Sequence, residues 1–541
     1  MMVRMRALSA VAGAALFTAA LIPSAATAQG KRRTVSPASD VAPAADPSAA
    51  GRGGRRAPLA EVAAPLDRTL IANAEALRDS ALKDNDAYSI LESLTTEFGP
   101  RPAGSDNQHR AALWAAGKMK TLGFDNVRIE SFPVTQWERG EETAQVLSPY
   151  PQRLVLAALG GSVATPPQGI DGEIVVCKTF EELLAQTPGS LNGRIVVVTQ
   201  PMARTGDGSG YGAAYRIRAL GASEAAKRGA SAYLIRSLAT DTRRLPHTGS
   251  MTYDAQYPRI PAAALSAPDA EQLERMVARG KPVRIRLVLT PTVRQSTSDT
   301  VIGEIRGSSS PSEIVLIGGH LDSWDLGTGA IDDGAGVAVT MAAAALIKDM
   351  PTRPKRTIRV ALWGAEEIGV SGVAYAAAHG AAEQARHVIA SECDLGADRV
   401  YAVNLPKGAA NSAFGRGLGR VLAPLRAFIS PEPATDGGSD LEELKGVPLA
   451  ALKQDATRYF ELHHTPDDTL DKVDPVQLNQ NVAAWAAFTY LAADSGVNFR
   501  VLAAPETAPA AAPKPYTDAK PPAATTRSPG ASPLADPASP R

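Results

Sequence analysis

Apolar and polar residues alternate along this chain with three different textures. From Leu66 to Leu122 the spacing is helical, and Ser105 is placed to cap a helix beginning at Asp106. Val127 to Phe132 then reads as a strand. Between residues 144 and 291 short apolar runs such as Ile195-Val196-Val197-Val198 are separated by Pro and Gly turns, predicting short strands. Within that stretch a helix over Ala219 to Arg228 meets Gly229 and then the strand-like Tyr233-Leu234-Ile235, an αβ unit. From Val301 to Asp494 strands and helices alternate, as a sheet covered on both faces requires.

In this last region polar clusters follow apolar runs. Ile314-Val315-Leu316-Ile317 leads to Gly318-Gly319-His320-Leu321-Asp322. Ile331-Asp332-Asp333-Gly334 opens an alanine-rich helical run ending near Asp349. Thr357 to Leu362 precedes Trp363-Gly364-Ala365-Glu366-Glu367, and Val388-Ile389-Ala390 precedes Ser391-Glu392-Cys393-Asp394. Tyr459-Phe460-Glu461-Leu462 runs into His463-His464-Thr465. Each polar set thus sits after a strand-like run, and the carboxyl ends of strands are where an open α/β sheet gathers its chemistry. Strand alternation would send Glu366 and Glu367 to opposite faces, one to a metal and one to a proton. Imidazole and carboxylate without thiolate suit zinc or a related divalent ion.

The ordered set His-x-Asp, Asp-Asp-Gly-x-Gly, Glu-Glu, Asp and His-Thr resembles the co-catalytic di-zinc exopeptidases. Gly319 to Asp325, Leu362 to Glu367, His463-His464-Thr465 with Asp468-Thr469, Trp137 to Glu142 and Pro246-His247-Thr248-Gly249 are similar to the plasma glutamate carboxypeptidase branch. Phe98 to Ser105 is similar to the entry loop of these exopeptidases. The resemblance extends from about Leu70 to Asp494. It implies an α/β fold with a mixed, mainly parallel sheet sandwiched by helices, and a smaller inserted domain similar to protease-associated domains. It implies two Zn2+ per chain: one on His320 and Asp394, the other on Glu367 and His464, with Asp332 bridging. Glu366 would be the general base for a hydroxide shared by the ions, and Asp322 would orient His320. Asp333 reads instead as a helix-start carboxylate. His463, Ser439 and Asp440 are candidates for contact with substrate. The blander readings are a packed histidine for His463 and an ordinary helix cap for Ser439-Asp440. His247 is a further residue that could reach the site. His109, His379 and His387 are expected on helices at the surface.

The resemblance implies hydrolysis of dipeptides or short peptides, with an aminopeptidase acting on longer peptides as the alternative. Single-zinc glutaminyl cyclisation and a receptor-like binding protein are further readings of this scaffold. The complete ligand set and the base argue against both. A homodimer is implied by the same resemblance.

Charge and composition narrow the partners. Lys plus Arg and Asp plus Glu are 56 each, and aromatics are 5% of the chain, which disfavours nucleic acid and anionic membrane as the main partner. Arg4 and Arg6 before an apolar run to Ile22, with Ala26-Thr27-Ala28 before Gln29, form a signal peptide over residues 1–28. The protein is therefore expected to be exported, periplasmic or secreted, and free of the membrane after processing. Residues 29–58 and 501–541 are rich in Pro, Ala, Gly, Arg, Ser and Thr and are expected to be disordered, the first as a possible pro-segment. That leaves a catalytic domain in two parts, 59–143 and 292–500, around the insert at 144–291. The two cysteines, Cys177 and Cys393, read as small buried hydrophobes with no disulfide between them.

Overall fold

The computed structural model describes residues 65–503. Residues 1–28, expected as a signal peptide, the 29–58 segment and the tail beyond 503 lie outside the described residues, while residues 501–503 of the expected disordered tail instead end the helix Phe499–Ala503.

Five strands form the central sheet in the order Asp125–Glu138, Thr292–Ile305, Arg356–Trp363, Ser310–His320, His387–Glu392. Ser310–His320 runs parallel to both of its neighbours, whereas the two pairings on the other side are antiparallel. The sheet is mixed, as expected, but its parallel character is confined to the half that carries the candidate residues. Register aligns the ends of these strands. His320 lies opposite Trp363, and Gly318 opposite Glu392, so three parallel strands end level. The residues just beyond those ends, Asp322, Glu366, Glu367 and Asp394, are delivered to one rim.

Side-chain alternation sorts the two faces. Val315, Ile317, Val360 and Leu362 join an apolar core with the helices Ala335–Lys348 and Pro475–Asp494. Leu316, Ala361 and Trp363 pack on the other face with Tyr375 and Leu441. The alanine-rich helix is smooth enough to be enclosed on nearly every side. Among the described residues it lies in the single helical stretch, Ala330–Lys348, that is long and apolar enough to cross a membrane, and its burial marks it as a core helix. Helices Arg68–Ala81, Ala87–Glu97 and Asp106–Thr121 account for the helical texture at the start, and Ser105 Oγ accepts the Gln108 N–H at 3.2 Å as the expected cap of the third.

The strands Asp125–Glu138 and Thr292–Ile305 pair along their full length, to Glu138 opposite Thr292, well past Phe132 where the sequence suggested an end. They lead into and out of residues 142–289, which build an eight-stranded sheet with an apolar cluster that includes Ile174, Ile195, Leu234, Ala263 and Leu287. Its helix Ser209–Lys227 begins ten residues before the expected start, because Gly210 and Gly212 weaken the helical signal there. Cys177 and Cys393 are buried and unpaired.

Three expectations fail. Tyr459–Leu462 is a helical turn, and the nearest preceding strand is Ala451–Gln454. His379 lies just past the helix Ser371–Ala378 and is buried between Glu130 and Glu383. His387 opens a strand and is buried with Nε2 2.9 Å from the Tyr375 hydroxyl. Of the three histidines placed at the surface, only His109 is exposed.

Candidate metal centre

Two histidines approach one aspartate from opposite sides. His320 Nε2 is 3.1 Å from Asp332 Oδ1, while His464 Nε2 is 3.2 Å from Asp332 Oδ2. His320 Nε2 also lies 3.5 Å from Asp394 Oδ1, and His464 Nε2 lies 3.0 Å from Glu367 Oε2. Two sets of close metal-type donors therefore share Asp332: His320, Asp332 and Asp394 on one side, Asp332, His463 and His464 on the other. His463 belongs to the second set because its ring stacks on that of His464 at 3.5 Å between centroids, with Nε2 3.7 Å from Asp332 Oδ2.

Glu366 and Glu367 do not sit on a strand. The strand ends at Trp363, and both residues lie on the turn beyond it. From that turn both carboxylates face the same centre, so the alternation expected for them is absent. The Asp322 carboxylate holds the turn by accepting the N–H of Glu366 at 3.1 Å and of Glu367 at 3.3 Å. Asp322 meets His320 chiefly through its main chain: His320 Nδ1 is 2.9 Å from the Asp322 carbonyl and 3.6 Å from its carboxylate. This contact places the proton on Nδ1 and leaves Nε2 free to face Asp332.

Glu366 stands apart from the two donor sets. Its Oε2 is 3.9 Å from His320 Nε2, and its Oε1 accepts the Ser439 hydroxyl at 2.5 Å. Asp440 lies deeper and accepts from the Ser371 hydroxyl at 2.7 Å. Asp333 accepts the His320 N–H and the Gly336 N–H, the helix-start role expected of it.

Electrostatics favour a cation here. Burial, with Asp394, Glu367 and Asp440 adding repulsion, raises the Glu366 carboxyl well above the usual range. Burial likewise raises Glu367 and Asp394. Burial opposes charge on His320, yet Asp394, Asp322 and Asp332 together hold it well above its ordinary value. For His464 the same contest, with Glu367 the main attractive partner, leaves it raised to about 9. Without a metal, then, the histidines hold protons because so much negative charge is buried around them. Asp332 Oδ2 and Glu367 Oε1 are buried with no hydrogen-bond partner. Orphaned carboxylate oxygens beside imidazole nitrogens fit divalent ions, which satisfy both and displace the protons.

Several supporting residues carried little signal in the sequence. Arg101 is wholly buried and donates to the main-chain carbonyls of Gly99, Leu321, Thr328 and Gly329, fixing the loop between His320 and Asp332. Asp468 Oδ1 accepts the Ile331 N–H at 2.5 Å. Arg101 and Asp468 fall within the stretches that carried the resemblance, but nothing in the sequence marked their buried roles. His247 is buried near His464 with Nδ1 unpartnered, and burial pushes its pKa down to about 3.

Comparison with known proteins places this geometry. The sequence profile of peptidase family M28 matches residues 300–489, which span His320 through His464. Carboxypeptidase Q of Bos taurus is 38% identical over 420 residues, covering 76% of this chain and 86% of that protein. The crystal structure of a peptidase M28 precursor from Shewanella amazonensis is 46% identical with a TM-score of 0.77, covering 80% of this chain and 98% of that one. BSAP, a zinc aminopeptidase from Bacillus subtilis, shares the fold at 20% identity and a TM-score of 0.55, covering 75% of this chain and 94% of that one. Kinship this extensive, running through both donor sets and the turn beside them, means that the chain belongs to peptidase family M28 and is a metallopeptidase.

Proposed function

We propose that this metallopeptidase is an exported di-zinc exopeptidase that hydrolyses dipeptides or short peptides. The observation that carries the reading is the position of Asp332, whose two oxygens each face a different histidine. A carboxylate so placed suits a bridge between two ions, with His320 and Asp394 completing one position and Glu367 and His464 the other. Bound zinc would supply Lewis acidity toward a peptide carbonyl and would lower the pKa of water to about 7.

The chain's own residues do the remaining work. Glu366 lies 3.9 Å from His320 Nε2 without belonging to either donor set, a place that suits a group taking a proton and returning it to a leaving amine. Ser439 holds one Glu366 oxygen and so aims the other toward the centre. His463, whose pKa burial and the neighbouring His464 hold well below its ordinary value, stays neutral and can donate toward a substrate carbonyl. Ser439 and Asp440 are proposed to border the substrate's free terminus. Export is supported by residues 1–28, and N-terminal sequencing of the mature protein should begin at Gln29.

A panel of free, N-blocked and C-blocked dipeptides, with longer peptides alongside, tests the reading. Cleavage of free dipeptides that is abolished by a chelator and restored by zinc is expected. Protein carrying two zinc equivalents but inert on the whole panel would contradict it.

A further inference from the structure

We propose that the loop of residues 246–250, which belongs to the inserted segment, is a positioning element of the metal centre, with the main-chain carbonyl of Thr248 setting the orientation and tautomer of His464. This inference rests on the reading that His464 holds zinc.

The contact is reciprocal. Thr248 donates its N–H to the His464 carbonyl at 3.0 Å, and His464 Nδ1 lies 3.2 Å from the Thr248 carbonyl. A carbonyl can only accept, so Nδ1 must carry a proton; a metal that displaced the second proton would therefore meet the lone pair of Nε2, the nitrogen beside Asp332 and Glu367. The alternative tautomer has a partner too. Arg218 Nη1 sits 3.4 Å from the same Nδ1 and could donate to it, which would put the proton on Nε2 and disable the ligand. Thr248 is the shorter contact, and Arg218 Nη1 also turns toward the Thr248 carbonyl at 3.4 Å. The loop thus selects the competent tautomer and occupies the cation that would favour the other.

Backbone conformation supplies a second observation. His464 has φ +61°, a left-handed conformation that costs a non-glycine residue on the order of 1–2 kcal/mol and persists where surroundings over-determine it. Among the described residues only Asn126, Arg426 and His464 adopt positive φ without being glycine. The paired hydrogen bonds to Thr248 hold both the main chain and the ring of His464 in that state. The His464 ring also meets Trp324, 5.7 Å away between centroids.

The loop itself is anchored. Thr248 Oγ1 donates to the Ala158 carbonyl at 2.8 Å and accepts from Arg139 Nη2 at 2.9 Å. Arg139 is in turn held by both oxygens of Asp325. Gly249 has no room for a side chain: at φ +130°, a Cβ would lie 2.1 Å from Arg218 Nη1 and 2.7 Å from His464 Nδ1. Glycine is needed there for both conformation and space. The insert therefore reaches the reaction centre as a component of it.

The test is zinc retention against a graded chelator, read as equivalents bound per chain, with circular dichroism on the same samples. Gly249→Ala should weaken one of the two zinc equivalents about 10–100-fold and leave the other unchanged. Thr248→Val, which loses the Arg139 and Ala158 bonds, should weaken the same equivalent about tenfold, and Thr248→Ser should restore it to within about twofold. His464→Ala is the reference and should lose that equivalent entirely. If His464→Ala loses one equivalent while Gly249→Ala and Thr248→Val bind both as the parent does, the positioning role is wrong and the metal assignment survives. If His464→Ala keeps both equivalents, the assignment and the inference fall together. Should Gly249→Ala fail to fold, Thr248→Val decides alone, and unchanged affinity there overturns the proposal.

Discussion

The carboxylate of Asp322 accepts the main-chain N–H of Glu366 at 3.1 Å, so one buried acid fixes where another can act. With Glu367 held by the second oxygen, the turn cannot shift without leaving two N–H groups unpartnered. Asp322→Asn replaces one acceptor by a donor and should lower kcat about 10–100-fold while zinc stays bound. Steady-state kinetics with metal analysis on the same preparation checks it.

Glu366→Gln keeps the shape and the Ser439 contact but removes the proton acceptor. Turnover should fall about 10²–10⁴-fold with KM and zinc content little changed. Full activity in the metal-loaded variant would exclude Glu366 as the base.

Asp332→Ala should behave differently, because it removes the one carboxylate that faces both histidines. Both zinc equivalents are expected to weaken, measured by metal analysis after dialysis. Loss of a single equivalent would argue against a bridge.

Arg101→Met removes a donor from the buried carbonyl of Leu321 and from the part-buried carbonyls of Gly99 and Thr328, while the Gly329 carbonyl keeps the Gly334 N–H. Several unsatisfied acceptors at about 1–3 kcal/mol each predict a large fall in stability, seen as a lower Tm in the metal-free protein.

Burial raises Asp440 and Asp468 to about 7. Each then keeps its proton in the folded metal-free protein at pH values where the unfolded chain has released it. Fewer protons bind the unfolded state in that window, so stability should fall as pH rises from about 4 to about 7. Asp468→Asn should flatten this slope in chemical denaturation measured across the range.

Much of the centre was legible because metal chemistry demands particular side chains. His320, Asp332, Asp394, Glu367 and His464 each stood out by type, and His320, Glu367 and Asp394 also by position at or just past a strand, and the structure brings the five together. Strand direction was less legible, since periodicity reports which face a residue occupies and is blind to whether its neighbour runs parallel. The Glu366–Glu367 turn departs from the strand reading for a related reason: the alternation stops at Trp363, and three more residues are enough to point both carboxylates one way. Thr248 was hardest to see. Its contribution is a main-chain carbonyl, which every residue possesses, so only the fold could reveal it.

Thr248 and His464 are 216 residues apart in the chain, whereas His320, Asp332 and Asp394 all fall within the single stretch 320–394. Contacts between distant segments form late, because closing the longer loop costs more entropy before any contact repays it. The centre should therefore assemble in two stages during refolding. The His320 side becomes competent once its parallel strands have paired, and the His464 side waits for the inserted segment to dock.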